Sequence, residues 1–190
     1  PPMTEREKMI SGALYDPSEA ALLAARNAAK EQCVQYNSLP PSAADQRDAL
    51  LRGLLGSCGT HVLIEPSFFC DYGFHIHVGE HFYANHNLVI LDAAPVVFGE
   101  HVFIAPNCGF YTAAHPFDVA QRNAELEYAK PIRVGSNVWI GGNVCVLPGV
   151  TVGDNTVIGA GSVVNRDIPA GVLAVGNPCR PVRSLQERGE

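Results

Sequence analysis

The sequence predicts a mainly β protein, a parallel β-helix preceded by a helical cap. Three observations predict it. Residues 134–164 repeat every six positions, residues 3–57 are rich in helix formers, and a long polar segment interrupts the repeat. We therefore expect a helical N-terminal cap over residues 1–57 and a β-helix over residues 58–190, with a loop protruding from the β-helix at residues 110–131.

The cap contains two predicted helices separated by a proline pair. Asp16-Pro17-Ser18 is a typical helix start, since proline is favoured in a first turn, and the next twenty residues are rich in Ala, Leu, Lys and Glu. Pro40-Pro41 ends this helix because proline cannot continue the backbone hydrogen bonding. The stretch SAADQRDALLRGLLGSCG predicts a second helix that glycine closes.

The six-residue repeat sets the expected architecture of the β-region. An aliphatic residue recurs at Val134, Ile140, Val146, Val152, Ile158 and Val164, and a small or β-branched residue stands four positions after each of the first five. Hexapeptide repeats are typical of a coil with three short faces, in which the aliphatic side chain points inward. Sandwich strands would instead alternate with period two and show turn signals about every 8 to 12 residues.

The repeat is imperfect before residue 110 and stops in the protruding loop. In that earlier part only Val78-Gly79, Phe98-Gly99 and Ile104-Ala105 fit it. The segment GFYTAAHPFDVAQRNAELEYAKP then breaks it altogether, with Pro116 and Pro131 inside. Long irregular insertions in a regular scaffold often carry function, so we expect the chemistry here.

Composition and charge exclude several classes of function. The net charge of −6 argues against a general nucleic-acid or anionic-membrane surface. No apolar run reaches the roughly 20 residues of a membrane span, and the charged N-terminus lacks the apolar region of a signal peptide. We therefore expect a cytoplasmic protein whose six cysteines are free thiols. No Walker-type or dinucleotide-binding glycine motif is present, so neither ATP nor NAD is implied.

The segment VWIGGNVCVLPGVTVGDNTVIGAGSVV resembles the hexapeptide-repeat acyltransferases. Four further segments resemble segments of the maltose and galactoside O-acetyltransferases and follow the same order along the chain: EREKMISGALYDP, FFCDYGFHIHVGEHFYANHNLVILD, YTAAHPFDVAQRN and GNPCRPVR. Within them, the short sequences CDYG and AAHP are closer to the maltose branch of the family. The resemblance implies a left-handed parallel β-helix and acetyl transfer from acetyl-CoA to a hydroxyl of a maltose- or glucose-type sugar. It also implies a homotrimer with active sites between subunits, and no metal.

The expected catalytic residues are His115 and Asn85. A hydroxyl nucleophile needs a base, and histidine suits that role because its ordinary pKa lies near working pH. Seven histidines are present, but His115 alone lies in the interrupting loop. The resemblance assigns it the role of base and assigns Asn85 to stabilisation of the transition state, where an amide donor can bind the developing oxyanion. A corner asparagine in a coil turn is the alternative for Asn85. Cys108 or Cys145 as a covalent acetyl carrier is disfavoured.

Acceptor contacts are implied by the same resemblance. Carboxylates and arginine make charge-assisted hydrogen bonds with hydroxyl groups. The expected acceptor-binding residues are Asp16, Arg26, Asp71, Tyr83 and Asp92. Helix capping is the alternative for Asp16, and a solvated helix face is the alternative for Arg26. Asp71 stands where the galactoside branch has a serine, and Ala93 where it has an aspartate, which disfavours a galactoside acceptor.

Coenzyme A contacts are expected along the coil and at its C-terminal end. Small residues would let the pantetheine arm approach the backbone, and arginine binds phosphate through two parallel hydrogen bonds. The expected residues are Ala105, Trp139, Gly142, Ala160, Asn165, Arg166, Arg180 and Arg183. The Gly142 N–H is expected to face the thioester carbonyl. Interface packing is the alternative for Trp139, and solubility of a terminal tail is the alternative for the arginines.

Three alternatives to a sugar O-acetyltransferase remain open from the sequence. The acceptor could be a galactoside, an antibiotic or serine, since enzymes for these share the coil. A γ-type carbonic anhydrase would need three histidines converging on zinc, and its family lacks the YTAAHPF loop and the helical cap. A non-catalytic scaffold would not need His115, Asn85 or the terminal arginines.

Overall fold

Three helices precede the β-structure in the computed structural model, which describes residues 1–185. They are α1 (Glu5–Ser11), α2 (Ala20–Ser38) and α3 (Ala44–Leu54). α2 and α3 are the two predicted helices, and α1 is an additional one. The Thr4 hydroxyl accepts from the Glu7 N–H while the Glu7 carboxylate accepts from the Thr4 N–H, so a capping box starts α1. Within residues 1–185, no helix is long and apolar enough to cross a bilayer.

The β-region is a parallel coil with three faces, which confirms the predicted fold class. Face 1 contains β1 (Ser57–Cys58), β4 (Ile76–Val78), β7 (Val96–Phe98), β12 (Ile132–Val134) and β15 (Thr151–Val152). Face 2 contains β2 (Leu63–Ile64), β5 (Tyr83–Ala84), β8 (Val102–Ile104), β13 (Val138–Ile140), β16 (Val157–Ile158), β18 (Val172–Gly176) and the antiparallel β19 (Cys179–Ser184). Face 3 contains β3 (Phe68–Cys70), β6 (Leu88–Leu91), β9 (Gly109–Tyr111), β14 (Cys145–Val146) and β17 (Val163–Val164).

The chain visits face 1, face 2 and face 3 in turn, so each coil has three corners. We call them the first corner (face 1 to 2), the second corner (face 2 to 3) and the third corner (face 3 to 1). β1 straddles the predicted domain boundary at residues 57 and 58, and that boundary stays a prediction. In the described part of the chain, nine asparagine, histidine and glutamate residues have positive φ, mostly at the first and second corners, where short polar side chains tolerate this conformation.

The repeating aliphatic residues fill the interior of the coil. Val134, Ile140, Val146 and Ile158 are each at most 3% exposed, and equivalent residues of successive coils stack on one another. Buried apolar side chains of this size each stabilise the fold by roughly 1.5–3 kcal/mol. Two of the predicted small residues are polar, and their hydroxyls donate to corner carbonyls: Thr156 to Pro169 and Ser162 to Gly159.

The imperfect repeat before residue 110 has a specific structural cause at the third corner. Phe103 pairs with Tyr83, 20 residues earlier, whereas Val157 pairs with Trp139, 18 residues earlier. The first coils therefore contain two more residues than three exact hexads. These residues lie in the Asp71–His75 and Asp92–Pro95 segments, between face 3 and face 1. The 110–131 loop leaves the coil at this same corner.

Side chains from the cap helices hydrogen-bond to the backbone groups at the open edge of the first coil. Asn37 both accepts from the Phe68 N–H at 2.8 Å and donates to the Phe68 carbonyl at 3.0 Å. Arg52 donates to the carbonyls of Cys58 and Gly59, and Tyr36 and Arg47 donate to the carbonyl of Ile64. All three strands of the first coil thus receive hydrogen bonds that a preceding coil would otherwise supply.

Replacing Asn37 with alanine is expected to lower the free energy of unfolding by about 1–3 kcal/mol, because two backbone groups of Phe68 lose their partner. Denaturant unfolding at one fixed subunit concentration measures this loss. The exposed Asn27 on the same helix provides the matched control, and Asn27→Ala should change stability by less than about 0.5 kcal/mol. Equal effects of the two substitutions would show that the edge hydrogen bonds contribute nothing.

Candidate active site

The loop that carries His115 is held by its own secondary structure. β10 (Ala113–Ala114) pairs antiparallel with β11 (Tyr128–Ala129), and the short helix α4 (Val119–Asn123) lies between them. The Asp118 carboxylate accepts from the Gln121 N–H at 2.8 Å and starts α4. The Arg122 guanidinium donates to the Phe117 carbonyl at 3.1 Å. The segment that follows His115 is therefore held by the β10–β11 pairing and by the hydrogen bonds of Asp118 and Arg122.

The His115 imidazole is exposed at the mouth of a cavity. Its Nδ1 lies 3.4 Å from the Leu126 carbonyl oxygen. A carbonyl can only accept a hydrogen bond, so of the two neutral tautomers this contact favours the one with the proton on Nδ1. The lone pair of Nε2 is then available to take a proton from a bound hydroxyl group.

The cavity has a volume of about 300 Å³ and brings together parts of the cap, the third corner and the loop. Its lining residues are Tyr15, Pro17, Arg26, Asp71, Tyr72, Leu91, Ala113, His115 and Glu127. Arg26, Asp71 and His115 were predicted site residues, and the structure places them in one cavity. An adjoining outer pocket shares several of these residues and adds Ser18, Arg122 and Glu125.

Arg26 and Asp71 have well-defined surroundings in this cavity. Arg26 Nη1 donates to the Tyr72 hydroxyl at 2.8 Å, and the guanidinium carbon lies 5.8 Å from the centre of that ring. Arg26 is thus held against the third corner rather than solvated on a free helix face. Burial, reinforced by the nearby Asp92 carboxylate, raises the pKa of Asp71 to about 6, although Arg26 opposes the shift.

Asp92 and Asp16 lie outside the cavity lining. Asp92 is completely buried, and its carboxylate accepts from the backbone N–H groups of Asp71 at 3.1 Å, Tyr72 at 2.8 Å and His75 at 3.3 Å. It therefore holds the expanded third corner in shape and sets the position of Asp71. The exposed Asp16 carboxylate accepts from the N–H and hydroxyl of Ser18, in the turn before α2.

Six of the nine lining residues were not predicted, and two of them, Tyr15 and Glu127, contact each other. The Tyr15 hydroxyl donates to the Glu127 carboxylate at 2.9 Å, and the backbones of these residues form an isolated antiparallel bridge. Burial raises the pKa of Tyr15, and the Glu127 carboxylate adds to the shift. The two residues are 112 positions apart, so only the folded loop brings them together. The one available signal in the sequence was the acidic stretch ELEY inside the interruption.

A second groove runs along face 2 and contains Asn85. It has a volume of about 430 Å³ and is lined by Tyr83, Asn85, Phe103, Ile104, Ala105 and Trp139. The Asn85 side-chain oxygen accepts from the His86 N–H at 2.7 Å. This hydrogen bond fixes the carboxamide, and within residues 1–185 no group accepts from its NH₂ group. Tyr83, which was predicted to bind the acceptor, lies beside Asn85 in this groove and not in the cavity that contains His115.

The predicted coenzyme residues continue along the second corner and the C-terminal hairpin. Ala105 follows β8, Gly142 follows β13 and Ala160 follows β16, so they occupy neighbouring levels of the coil. A side chain at Gly141 would meet the backbone of Ala160 at 2.6 Å, which shows how closely these levels approach. Arg180 donates to Asn165 at 3.0 Å, and Arg166 and Arg183 are exposed nearby in the chain.

His115 and Asn85 lie at different corners of one chain. His115 is on the third-corner loop, whereas Asn85 is at the second corner, with face 3 between them. Among the residues that the structure describes, the cavity and the groove share no lining residue. Within residues 1–185, no three His, Cys, Asp or Glu side chains are grouped so that they could hold a metal ion.

Comparisons with known proteins identify the family. Residues 8–59 match the maltose acetyltransferase hexapeptide capping motif, and residues 131–166 match the bacterial transferase hexapeptide family. The galactoside O-acetyltransferase of Escherichia coli is 41% identical, covering 98% of this chain and 91% of its own.

Two solved structures share the whole architecture. A maltose O-acetyltransferase from Clostridium difficile has a TM-score of 0.96 at 45% identity, covering 97% of this chain and 99% of its own. A hexapeptide-repeat acetyltransferase from Vibrio cholerae, solved with acetyl coenzyme A, has a TM-score of 0.89 at 41% identity, covering 97% of this chain and 100% of its own. The chain belongs to the maltose and galactoside O-acetyltransferase family of hexapeptide-repeat enzymes and is an acetyl-CoA-dependent O-acetyltransferase.

Proposed function

We propose that this enzyme acetylates a hydroxyl group of a maltose- or glucose-type sugar. The observation that carries the proposal is the cavity in which His115, Arg26 and Asp71 meet, because it offers a base and charged hydrogen-bond partners to a polyhydroxyl ligand. The solved relative named as a maltose O-acetyltransferase supports this acceptor class.

In the proposed mechanism, His115 acts as general base and then as general acid. Nε2 takes the proton of the sugar hydroxyl while the oxygen of that hydroxyl forms a bond to the carbonyl carbon of the acetyl group. The Asn85 NH₂ group donates to the oxygen that becomes negative, and the Gly142 N–H is the proposed second donor. The carbon–sulfur bond then breaks, and His115 returns the proton to the leaving thiolate. Asp71 and Arg26 orient the sugar throughout.

We propose that the complete site forms between two subunits of a homotrimer. A site that uses both His115 and Asn85 needs the third corner of one chain to meet the second corner of another, and a closed threefold ring gives three equivalent contacts. Leu63, Phe103 and Trp139 on face 2 are 42%, 53% and 56% exposed, so this apolar face can cover the pantetheine arm and the neighbouring subunit. Asn165, Arg166, Arg180 and Arg183 are the proposed partners of the coenzyme phosphates.

A mixture of two inactive variants tests this arrangement. In trimers formed at random from equal amounts of His115→Ala and Asn85→Ala chains, about one quarter of the sites should receive both native residues. Purification through two different tags removes the homotrimers, and each remaining mixed trimer contains one native site of three, so it should regain about a third of wild-type acetyl transfer. Mixing His115→Ala with the double variant is the control, since no native site can form. Mixed trimers that stay as inactive as the single variants would contradict sites shared between subunits.

The acceptor assignment is tested by acetyl transfer itself. Thiol release from acetyl-CoA should depend on maltose or glucose, and mass spectrometry of the product should show one acetyl ester. Release that occurs with serine, chloramphenicol or a galactoside but with neither glucose nor maltose would overturn the proposed acceptor.

A further inference from the structure

We infer that the acceptor cavity selects a sugar that carries a protonated amine, with the ammonium group bound between Asp71 and Glu127. This inference rests on the proposed function, because it names the acceptor class of the same site. Two carboxylates and one guanidinium, that of Arg26, line the cavity beside His115. The charged residues that the outer pocket adds are Arg122 and Glu125, whose charges cancel. The lining therefore carries an excess negative charge.

Arg26 is the one cation that residues 1–185 place in the lining, and it is already hydrogen-bonded. Arg26 donates to the Tyr72 hydroxyl at 2.8 Å and lies over the Tyr72 ring, on the wall formed by the third corner. Burial and the neighbouring carboxylates of Asp92 and Glu127 raise the pKa of Asp71 to about 6, even though Arg26 and Lys30 oppose the shift. Arg26 therefore leaves the Asp71 charge incompletely balanced, and a second cation in the cavity would stabilise it.

The two carboxylates also have open acceptor atoms. Within residues 1–185, no donor hydrogen-bonds to the Asp71 carboxylate, although its residue is only partly exposed. One Glu127 oxygen accepts from the Tyr15 hydroxyl, and the other has no donor in the same part of the chain. An ammonium group has three N–H donors and can satisfy these oxygens together, whereas each sugar hydroxyl supplies one.

The same charge pattern has two further consequences for the acceptor. A sugar phosphate or a sugar acid would place a third anion beside Asp71 and Glu127, so the cavity should reject both classes of ligand. A protonated amine has no lone pair and cannot attack the thioester. The nucleophile therefore remains a hydroxyl next to His115, and the product is an O-acetyl ester that retains the free amine.

The test compares glucosamine with glucose and N-acetylglucosamine at neutral pH, above the pKa of Asp71. We expect kcat/KM to be about tenfold or more higher for glucosamine than for either neutral sugar, since one charge-assisted hydrogen-bonded contact distinguishes them. Asp71→Asn and Glu127→Gln should each reduce this ratio several-fold. Glu31→Gln on the exposed face of α2 is the matched control and should leave the ratio unchanged.

The outcomes separate this inference from the proposed function. Glucose esterified as well as glucosamine, or a preference that neither variant reduces, would overturn the inference while the sugar O-acetyltransferase remained supported. An amide instead of an ester on glucosamine would also overturn it, because the amine would then be the nucleophile. No transfer to any of these three sugars or to maltose would refute the proposed function together with the inference.

Discussion

Replacing His115 with alanine is expected to lower kcat for acetyl transfer by about 10²–10⁴-fold, the usual contribution of a positioned general base. The hydroxyl nucleophile is almost completely protonated at neutral pH, so the reaction slows when no group takes the proton during attack. The contact between Nδ1 and the Leu126 carbonyl presents Nε2 as that group. Steady-state kinetics with saturating acetyl-CoA and sugar measure the loss.

A second histidine provides the control for this prediction. His77 lies on face 1 and contacts the Ser57 hydroxyl at 2.8 Å, away from the cavity and the groove. His77→Ala should keep kcat within about threefold of the wild type. Little loss in His115→Ala, or an equal loss in both variants, would remove His115 as the base.

Replacing Asn85 with alanine is expected to lower kcat by about 10²–10³-fold, with little change in KM for acetyl-CoA. The carboxamide oxygen is held by the His86 N–H, so the NH₂ group is already oriented before the reaction begins. A donor positioned in this way stabilises charge that develops only in the transition state. The rate of a single turnover, measured after rapid mixing, isolates this step.

Asn85→Asp distinguishes catalysis from a structural role. Aspartate has the same shape and can still accept from the His86 N–H, but it has no NH₂ donor and adds a negative charge next to the oxyanion. We expect it to be at least as impaired as Asn85→Ala. If Asn85→Asp retained wild-type activity, Asn85 would be only a corner residue that shapes the turn.

The exact hexads were sufficient to predict a parallel β-helix, whereas its left-handed coil was implied only by the family resemblance. Between Val134 and Val164 every coil contains three six-residue units, so the sequence period equals the structural period. The earlier coils are equally regular in structure, but two additional residues at each third corner interrupt the six-residue period of the sequence. Their position could not be read from the sequence, since Asp71 and Asp92 follow strands that look like all the others.

The candidate site was predictable only in part. His115 stood out because it lies in the interruption, whereas the approach of Arg26 to Tyr72 depends on how α2 packs on the coil. Asp92 has a suitable side chain for sugar binding, but in the folded chain three backbone N–H groups occupy its carboxylate. Glu127 reaches the cavity through a hairpin that no local pattern indicated. Contacts between distant segments decide these roles.

The capped first coil has a consequence for polymerisation. A parallel coil has no intrinsic length, since the edge of each turn is a template on which another turn, or another molecule, can add. Asn37, Arg47 and Arg52 occupy that template with side chains, which cannot pass the hydrogen-bond pattern on to a further strand. The cap therefore blocks the addition of a further strand at this edge, so this end of the molecule cannot seed head-to-tail filaments.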